Sequence, residues 1–315
     1  VKVQPSSALP ASAEEQNDPV NSTLGFEKIF YISLPHRSDR QDAMTLIASA
    51  SGISLTLQHG VNGSLIHEKA KPDGSKYLRA EQLGCWRAHA NVWRRIISEN
   101  IETALILEDD VDWDINIREV FAELSHHMNL QRVFKQLLPL TTPMAAPYGS
   151  GWDVLYVGSS SNIPNIHDLP PYYLYHDPNV PDYHKLARSY RRELEAWGIN
   201  ATEQTHLRLV APSWYPVGAL GYAVTKRAAQ ILLYNLGGYG GLGLPVDLAM
   251  ISLIQKGIVE SYTIIPPLIT PFRVGGAKDS DIDEKRYTER RGDLQPGSEN
   301  LKSSVRSALA DFINK

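Results

Sequence analysis

The most constraining feature of this sequence is an apolar segment that ends in three adjacent acidic residues. Residues 103–107 read Thr-Ala-Leu-Ile-Leu and are followed directly by Glu108, Asp109 and Asp110. A short run rich in Leu and Ile predicts a buried strand of an α/β sheet. Ligands of open α/β sheets bind beyond the carboxyl ends of the strands, so these acids are predicted to face a ligand.

Neighbouring carboxylates repel each other, raise each other's pKa and are costly to desolvate unless a cation neutralises them. Their oxygen atoms suit a hard divalent ion such as Mg²⁺ or Mn²⁺, which keeps coordination positions open for the phosphates of a substrate. The acidic run is therefore one predicted site for such an ion.

Two other interpretations fit the same residues. A solvated acidic turn would cap the next helix, because Asp112 and Asp114 are favourable N-cap residues. The alternating acids that start at Asp110 also resemble an EF-hand calcium loop. That loop needs glycine where Ile115 stands and a bidentate glutamate where Phe121 stands, so the calcium interpretation is rejected. The helix-cap interpretation stays open on the sequence alone.

The order of predicted elements indicates an α/β fold. A strand over 28–34, a helix over about 39–50 and a strand over 55–57 begin a doubly wound nucleotide-binding unit. Residues 81–99 carry apolar side chains on one helical stripe, which predicts an amphipathic helix packed on the sheet. His89 lies near this stripe, where a hydrogen-bonded core histidine is the commoner case.

Further elements are predicted along the rest of the chain. They are a helix over 115–138, strands over 152–158, 216–224 and 262–270, and helices over 226–236 and 305–313. Residues 238–243 match the dinucleotide pattern G-x-G-x-x-G. They follow a helix rather than a strand, so a flexible loop is predicted there instead of a phosphate cradle.

Composition divides the chain into three parts. Residues 1–24 are rich in Pro, Ser, Ala and acids without periodicity, which predicts a disordered stem or linker. Residues 25–278 form one predicted main domain, in which the Pro- and Tyr-rich stretch 159–212 is interpreted as an inserted, lid-like segment with a charged helix near 182–198. Residues 279–315 are a charged tail with a short helix.

Bulk composition excludes several kinds of partner. The net charge of −4 offers no general attraction for nucleic acid or for an anionic membrane. The single cysteine, Cys85, allows neither a disulfide framework nor a cysteine-based zinc site. The Pro/Ser-rich stem and three glycosylation sequons, at Asn21, Asn62 and Asn200, favour a truncated type II membrane protein of the Golgi or ER lumen over a bacterial cytoplasmic protein.

Six short motifs occur in a fixed order. They are Leu34-x-x-Arg37-x-x-Arg40, Gly84-Cys85-Trp86-Arg87-Ala88-His89, Leu105-Ile106-Leu107-Glu108-Asp109-Asp110-Val111, Trp152-Asp153-Val154-Leu155-Tyr156-Val157-Gly158, Gly221-Tyr222-Ala223-Val224 and Pro245-Val246-Asp247. In this order and spacing, over residues 26–275, the chain resembles glycosyltransferase family 25. That family includes lipooligosaccharide and procollagen galactosyltransferases.

This resemblance implies a GT-A fold, which is a Rossmann-like mixed sheet flanked by helices, a UDP-sugar donor, a Mn²⁺ (or Mg²⁺) ion and inversion at the anomeric carbon. The acidic triplet corresponds to the family's version of the DxD motif. Asp110 and Glu108 are then the expected metal ligands, and Asp109 is expected to contact the donor with them. The other residues expected on the donor side are Leu34, Arg37, Arg40, Gly84, His89 and Arg273.

The chain departs from the family pattern at three points. Ser33 stands where the family usually has Asn, and Ala88 stands where it has Ser before the histidine. Many GT-A enzymes complete the metal site with a C-terminal histidine, whereas this chain has no histidine after His206. Water or a group within 270–273 is the expected substitute.

The resemblance also implies a mechanism. An inverting displacement needs a base that takes the proton of the acceptor hydroxyl, and Asp247 is the first candidate, with Asp153 second. The alternative role of Asp247 is a helix N-cap. Departure of UDP leaves negative charge on the β-phosphate, which the metal together with Arg273 or Arg37 is expected to neutralise.

The predicted function is an inverting, metal-dependent transfer of a sugar, with galactose favoured, from a UDP-sugar to a hydroxyl of a glycan or glycoprotein. Trp214 and Tyr215 are candidates for stacking on the acceptor sugar, although buried packing is the commoner role for at least one of them. A metal-dependent phosphate- or sugar-ester hydrolase is an alternative, although the sequence shows no His/Asp ligand cluster for it. A catalytically silent carbohydrate-binding protein is the other, although it would have no need of an acidic triplet to hold a pyrophosphate.

Overall fold

The computed structural model describes residues 18–130, 147–167, 169–200, 202, 205–274, 281–282 and 297–314. The α-helices within these residues are α1 (Ser38–Ser51), α2 (Ala80–Ser98), α3 (Ile117–Leu130), α4 (Arg188–Ala196), α5 (Lys226–Leu233), α6 (Val246–Gln255) and α7 (Val305–Ile313). The strands are β1 (Lys28–Ser33), β2 (Thr56–His59), β3 (Thr103–Glu108), β4 (Val111–Trp113), β5 (Val154–Gly158), β6 (Ser161–Ile163), β7 (Tyr173–His176), β8 (Leu207–Pro212), β9 (Tyr215–Val217), β10 (Gly221–Thr225), β11 (Ser261–Ile265), β12 (Ile269–Arg273) and β13 (Gly297–Ser298).

Eight of these strands form one mixed sheet in the order β2-β1-β3-β10-β5-β11-β8-β7. β2, β1 and β3 pair in parallel, and β5 pairs in parallel with β11. β10 lies antiparallel between β3 and β5, so β3 and β5 run in the same direction. The carboxyl ends of β1, β3 and β5 therefore lie at one edge of the sheet, which is where α/β sheets bind ligands. The predicted α/β class, a mixed sheet flanked by helices, is confirmed.

Side chains alternate between the two faces of the sheet, because successive residues of a strand point to opposite sides. In β3, Leu105 and Leu107 belong to an apolar cluster with α1, α3 and α7. Ile106, between them, belongs to a second cluster with α2, α5 and α6. Trp86 and Trp93 of α2 are almost fully buried in this second cluster. The apolar stripe of α2 thus fixes the helix against the sheet beside the end of β3.

Two small sheets lie near the carboxyl edge of the main sheet. β4 follows the acidic run directly and pairs antiparallel with β12, which in turn pairs with β13. β6 and β9 form an antiparallel pair. Through these pairings, segments that are far apart in the chain come together around the end of β3.

Most of the predicted elements are confirmed, and two are corrected. The strand predicted over 216–224 is two strands, β9 and β10, because Gly218 adopts a positive φ of 84° between them. The strand predicted over 262–270 is also two strands, β11 and β12. Pro266 and Pro267 separate them, and proline cannot donate a ladder hydrogen bond. The predicted helix over 115–138 begins at Ile117, and its residues after 130 lie outside the described part.

The remaining predicted segments have these places. The inserted segment, 159–212, supplies β6 and α4, and it also supplies β7 and β8 at the outer end of the main sheet. Residues 1–17 of the predicted stem lie outside the described residues. In the predicted tail, residues 297–314 form β13 and α7, and Val305 is fully buried in the core. Among the described helices, none is both long and apolar enough to cross a bilayer.

A buried carboxyl group in α4 predicts that stability falls as the pH rises. Glu193 is 5% exposed, one carboxyl oxygen accepts the amide of Asn162, and the other has no partner in the described structure. Burial raises the pKa of Glu193 to about 8 from 4.5. The folded state therefore holds this proton between these two pH values, whereas the unfolded chain releases it, so the free energy of unfolding decreases across that window.

We expect Glu193→Gln to remove this dependence. The stability of the variant relative to wild type should rise by about 1–3 kcal/mol between about pH 5 and about pH 8.5, measured by urea unfolding. Glu195→Gln, an exposed change in the same helix, is the control and should show no such trend. An equal stability difference at both pH values would contradict the prediction.

Candidate functional site

The acidic turn, defined here as Glu108, Asp109 and Asp110, joins the main sheet to the small sheet. β3 ends at Glu108, and the chain turns at the two aspartates before β4 begins. The amide of Phe272 in β12 donates to the carbonyl oxygen of Asp110 at 2.7 Å. Backbone pairing therefore fixes the turn both before and after it. The apolar run in the sequence predicts only the strand that precedes the turn.

A cavity of about 350 Å³ opens beside the acidic turn. Four of the predicted site residues line it, and they come from distant parts of the chain: Glu108, Asp110, Asp247 and Arg273. Segments 217–220 and 245–248 supply much of the remaining wall. The structure therefore brings the predicted metal ligands, the first candidate base and one predicted phosphate-binding cation into a single space.

Burial and neighbouring charges act on the two carboxyl groups of the turn that line the cavity. The pKa of Glu108 is raised well above its ordinary value by burial, and the nearby charges of Asp110, Asp109 and Asp247 raise it further. Burial also raises the pKa of Asp110, while the positive charge of Arg40 opposes this shift. This is the electrostatic environment in which a bound cation stabilises carboxylates.

Asp110 presents an oxygen atom without a partner. Its Oδ1 is buried and accepts no hydrogen bond in the described structure. Its Oδ2 lies 3.6 Å from the Nη2 atom of Arg40, at the limit of an ion pair. Buried carboxylate oxygens are almost always paired, so the free Oδ1 beside Glu108 fits a hard cation such as Mn²⁺ or Mg²⁺.

Two predicted donor-side arginines lie next to the turn and are already paired with carboxylates. Arg40 Nη1 is 2.7 Å from Asp109 Oδ1 and 3.5 Å from Asp281 Oδ2. Arg37 donates to Asp39 and, at 2.5 Å, to Asp281. Asp109, only 5% exposed, does not line the cavity. The structure thus gives Asp109 an ion-pairing position rather than a place among the cavity-lining acids.

A chain of buried polar side chains leads to Glu108 from inside the protein. Trp93 Nε1 donates to the hydroxyl of Tyr222 at 3.1 Å, and this hydroxyl lies 2.8 Å from His89 Nδ1. Since tryptophan only donates, the tyrosine proton goes to Nδ1, and the neutral histidine then carries its proton on Nε2. His89 Nε2 faces Glu108 Oε1 at 4.0 Å. Burial lowers the pKa of His89 to about 4, which keeps the ring neutral.

Cys85, His89 and Glu108 place three possible ligand atoms within 4.8 Å of one another. Burial raises the pKa of the Cys85 thiol well above its ordinary value, and a metal ligand must be the thiolate. The His89 nitrogen that faces the group carries a proton in the hydrogen-bond pattern described above. In the described residues the oxygen atoms of Glu108 and Asp110 are therefore the better cation site.

The two candidate bases lie at opposite ends of the sheet. Asp247, in the first turn of α6, lines the cavity, and its Oδ2 accepts the amide of Gly218 at 3.1 Å. Asp153 precedes β5 and is therefore at the amino end of that strand. Its carboxylate pairs with Arg227 and accepts the amide of Glu260. This placement supports Asp247 as a base and does not support Asp153.

Arg273 is the cation that faces the cavity without a carboxylate partner among the described residues.

Leu34 and Gly84, two other predicted donor-side residues, do not line the cavity. A Cβ atom on Gly84 would lie 2.3 Å from the carbonyl oxygen of Val61, so this glycine allows α2 to approach a loop. The Leu34 carbonyl accepts from Gln41 at the start of α1.

The acids that follow the turn resolve the helix-cap interpretation. Asp112 is fully buried and accepts from Ser298, Ser304 and the amide of Arg306, at the start of α7 rather than α3. Asp114 is also buried, and its side chain accepts the amide of Asn116, which precedes α3, rather than an amide of the first helical turn, so it does not cap α3 either. The helix-cap interpretation is therefore wrong for both residues, and for Asp112 the reason is that α7 arrives from the far end of the chain.

Sequence reasoning missed several residues around the site. Gln82 and Cys85 line the cavity from α2. Their spacing to His89, at i−7 and i−4, places all three on one side of the helix, which is a signal that the sequence offered. Arg306 contacts the backbone of the turn from α7, and no sequence pattern links it to residues near 110.

Comparison with known proteins relates part of this chain to one family. Residues 26–143 match the family model described as glycosyltransferase family 25 (LPS biosynthesis protein). This stretch contains α2 and the acidic turn. The resemblance to glycosyltransferase family 25 is confirmed.

Individual relatives cover a similar part of the chain. Procollagen galactosyltransferase 1-B of Xenopus laevis is 23% identical over 152 residues, which are 44% of this chain and 22% of that protein. Procollagen galactosyltransferase 2 of Homo sapiens is 22% identical, over 43% of this chain and 21% of that protein. The human protein named inactive glycosyltransferase 25 family member 3 is 23% identical, over 44% and 22%. The chain spans about a fifth of the length of these curated relatives.

Among solved structures, the crystal structure of A197 from STIV aligns with 78% of this chain and 84% of that chain. The TM-score is 0.34 and the sequence identity is 10%.

We expect the hydroxyl of Tyr222 to stabilise the buried polar chain. Tyr222→Phe leaves both Trp93 Nε1 and His89 Nδ1 without a partner, and it should lower the free energy of unfolding by about 1–3 kcal/mol in urea titrations. Tyr156→Phe is the matched control. Its ring is equally buried, but among the described residues its hydroxyl has a hydrogen bond only to the sulfur of Met250, at 3.9 Å, so the loss should be smaller. Equal losses in the two variants would contradict this description.

Proposed function

We propose that this chain is a metal-dependent, inverting glycosyltransferase that moves a sugar from a UDP-sugar to a hydroxyl group of a glycan or glycoprotein. The observation that carries the proposal is the cavity lined by Glu108, Asp110 and Arg273. Among the described residues, the buried Oδ1 of Asp110 has no hydrogen-bond partner and the Arg273 guanidinium pairs with no carboxylate. Carboxylates that hold a cation, together with a nearby arginine, form the arrangement that a diphosphate leaving group requires.

Asp110 and Glu108 fit a divalent ion, because one oxygen atom lacks a partner and the carboxyl groups are crowded and poorly hydrated. When bound, Mn²⁺ or Mg²⁺ would supply a Lewis acid that stabilises negative charge on the departing nucleotide. Arg273 is placed to bind a phosphate oxygen of the donor. Arg40 holds Asp109 and keeps the turn compact. A donor diphosphate near Arg37 and Arg40 would compete with Asp281 for their guanidinium groups.

Asp247 is the proposed base. Its Oδ2 accepts the Gly218 amide, and this hydrogen bond fixes the side chain. Asp247 lines the cavity on the same wall as Val217 and Gly218. A base on this wall removes the proton of an acceptor hydroxyl as the hydroxyl attacks the sugar. β9 ends at Val217, and Trp214 and Tyr215 at its start are 36% and 38% exposed. We propose these rings as the platform for the acceptor.

Galactose is the proposed sugar, and a glycan or glycoprotein is the proposed acceptor. The support is that two of the relatives described above are named procollagen galactosyltransferases. Another relative is named inactive, so likeness to this family does not by itself decide activity. We also propose a secretory lumen as the location. The sequon asparagines Asn62 and Asn200 are exposed, and a glycosidase-sensitive mass shift after expression in eukaryotic cells would test this.

The first test is release of UDP from a panel of UDP-sugars, with either Mn²⁺ or EDTA. We expect slow release from one UDP-sugar, dependent on the metal, and a loss of about 100-fold or more in Asp110→Asn. Asp42→Asn removes an exposed acid from α1 and serves as the control for charge. Release that does not depend on the metal would contradict the metal-dependent mechanism. No release with any UDP-sugar, together with no donor-induced thermal shift, would favour a catalytically silent carbohydrate-binding protein.

The two candidate bases can be separated by isosteric variants. Asp247→Asn retains an oxygen atom for the Gly218 amide, so we expect normal folding and donor binding but a decrease in kcat of about 100-fold or more. Asp153→Asn removes a buried charge that pairs with Arg227, so we expect lower stability and an unchanged kcat per folded molecule. The reverse result would assign the base to Asp153.

A further inference from the structure

The C-terminal segment, residues 297–314, is docked against the acidic turn and the strand that follows it. β13 pairs with β12 next to Phe272 and Arg273, two residues that line the cavity. Ser303 accepts the amide of Ile115 through its carbonyl and donates its own amide to Asp114. The segment therefore belongs to the wall of the site, although it is almost 200 residues from the turn in sequence.

Asp112 anchors this segment. The carboxylate is fully buried and accepts hydrogen bonds from the hydroxyls of Ser298 and Ser304 and from the backbone amide of Arg306, the last at 3.2 Å. Ser304 is the N-cap of α7, and its hydroxyl also accepts the amide of Ser307. Asp112 thus fixes the first turn of α7 and the starting point of the Arg306 side chain.

The Arg306 guanidinium spans the backbone around Asp110. Its Nε donates to the carbonyl of Val111 at 2.9 Å, and its Nη2 donates to the carbonyl of Asp109 at 3.3 Å. These carbonyls immediately precede and follow Asp110, whose own carbonyl accepts the amide of Phe272. Three successive carbonyl groups are therefore held, which fixes the backbone from which the Asp110 side chain projects.

The chemistry of this contact is specific to arginine. A planar guanidinium presents several N–H donors in a fixed fork, so one side chain can hold two carbonyls, whereas an ammonium group is a point donor on a flexible chain. The Phe272 ring lies beneath the guanidinium, 5.1 Å from the Arg306 Cζ atom to the ring centre. Arg306 thus links the acidic turn to a cavity wall as well as to α7.

We propose that Arg306 is a positioning residue of the cation site: by holding the backbone on both sides of Asp110, it fixes the position of that carboxylate in the cavity wall. This inference rests on the proposed function, because it assigns Arg306 to the divalent-cation site described there. Arg306 itself does not line the cavity.

Positioning and simple electrostatics predict effects of opposite sign. Arg306 carries a positive charge close to Asp110 and Asp112, so electrostatics alone predicts that removing it strengthens cation binding. Positioning predicts that removing it weakens cation binding, because Asp110 is no longer held in place. The direction of the change in affinity therefore separates the two roles.

The test is Mn²⁺ binding to the full chain, followed by electron paramagnetic resonance without any sugar nucleotide. We expect Arg306→Met to raise the Kd for Mn²⁺ by about tenfold or more, and Arg306→Lys to give an intermediate value. Asp114→Asn is the control, because Asp114 holds the same segment through Ser303 but does not touch the turn. Its Kd should stay within about twofold of wild type.

A second readout does not depend on the metal. Deuterium uptake by the backbone amides of residues 108–113 should be faster in Arg306→Met than in wild type, while Asp114→Asn should leave it unchanged. Thermal unfolding of each variant shows that the fold is retained.

The outcomes separate the two hypotheses. If wild type binds Mn²⁺ and Asp110→Asn does not, an unchanged or lower Kd in Arg306→Met overturns the positioning role alone. If wild type does not bind Mn²⁺, the metal-dependent function fails, and the positioning role fails with it. A weaker site in Arg306→Met, with faster exchange in the turn and an unaffected control, supports the inference.

Discussion

The concentration of negative charge at the end of β3 is the constraint on which the site depends. Glu108, Asp109 and Asp110 are adjacent, poorly hydrated and mutually repulsive, so the fold must hold each of them by a different means. Asp109 is neutralised by Arg40 at 2.7 Å. Glu108 faces the neutral ring of His89. Asp110 is fixed through its backbone and lines the cavity, and its buried Oδ1 has no hydrogen-bond partner among the described residues. Three similar residues therefore have three different roles.

Apolar and acidic residues alternate from Val111 to Asp114, and the structure explains this pattern. In β4, Val111 and Trp113 are almost fully buried in the core shared with α1 and α3. Since side chains alternate along a strand, Asp112 lies on the opposite face, where it anchors the C-terminal segment. The pattern that resembles a calcium loop is thus a strand with one face in the core. The other face binds a distant part of the chain.

Local patterns predicted the elements whose packing is local. The apolar stripe of residues 81–99 and the strand that ends at Glu108 have clear periodicity, and both are confirmed as α2 and β3. The break at Gly218 was missed, because an apolar run with glycines reads as one strand unless the positive φ is known. The sequence also places Asp153 at the start of a predicted strand, and this position argues against a role as the base. A residue that precedes a strand lies at the amino edge, away from the ligand side.

Contacts between distant segments could not be predicted from one sequence. Arg306 and Asp112 are 194 residues apart, and nothing in either local pattern indicates that they meet. Asp281 likewise pairs with Arg37 from 244 residues away. Such pairs depend on how β12 and β13 are placed against β4, which is a property of the whole fold. The sequence predicts that the acids near residue 110 have binding roles, but it does not show which side chain or backbone group pairs with each acid.

The balance of charge in the cavity explains why the proposed donor and the proposed cation belong together. Among the described residues that line it, Glu108, Asp110 and Asp247 are acidic, while Arg273 is the only arginine or lysine. Arg37 and Arg40 are nearby but already contact carboxylates. A diphosphate that enters alone would meet a surface of its own sign in a poorly hydrated space, where repulsion is poorly screened. A divalent ion on Asp110 and Glu108 reverses that sign where the phosphates must lie, so donor affinity and metal affinity should be coupled.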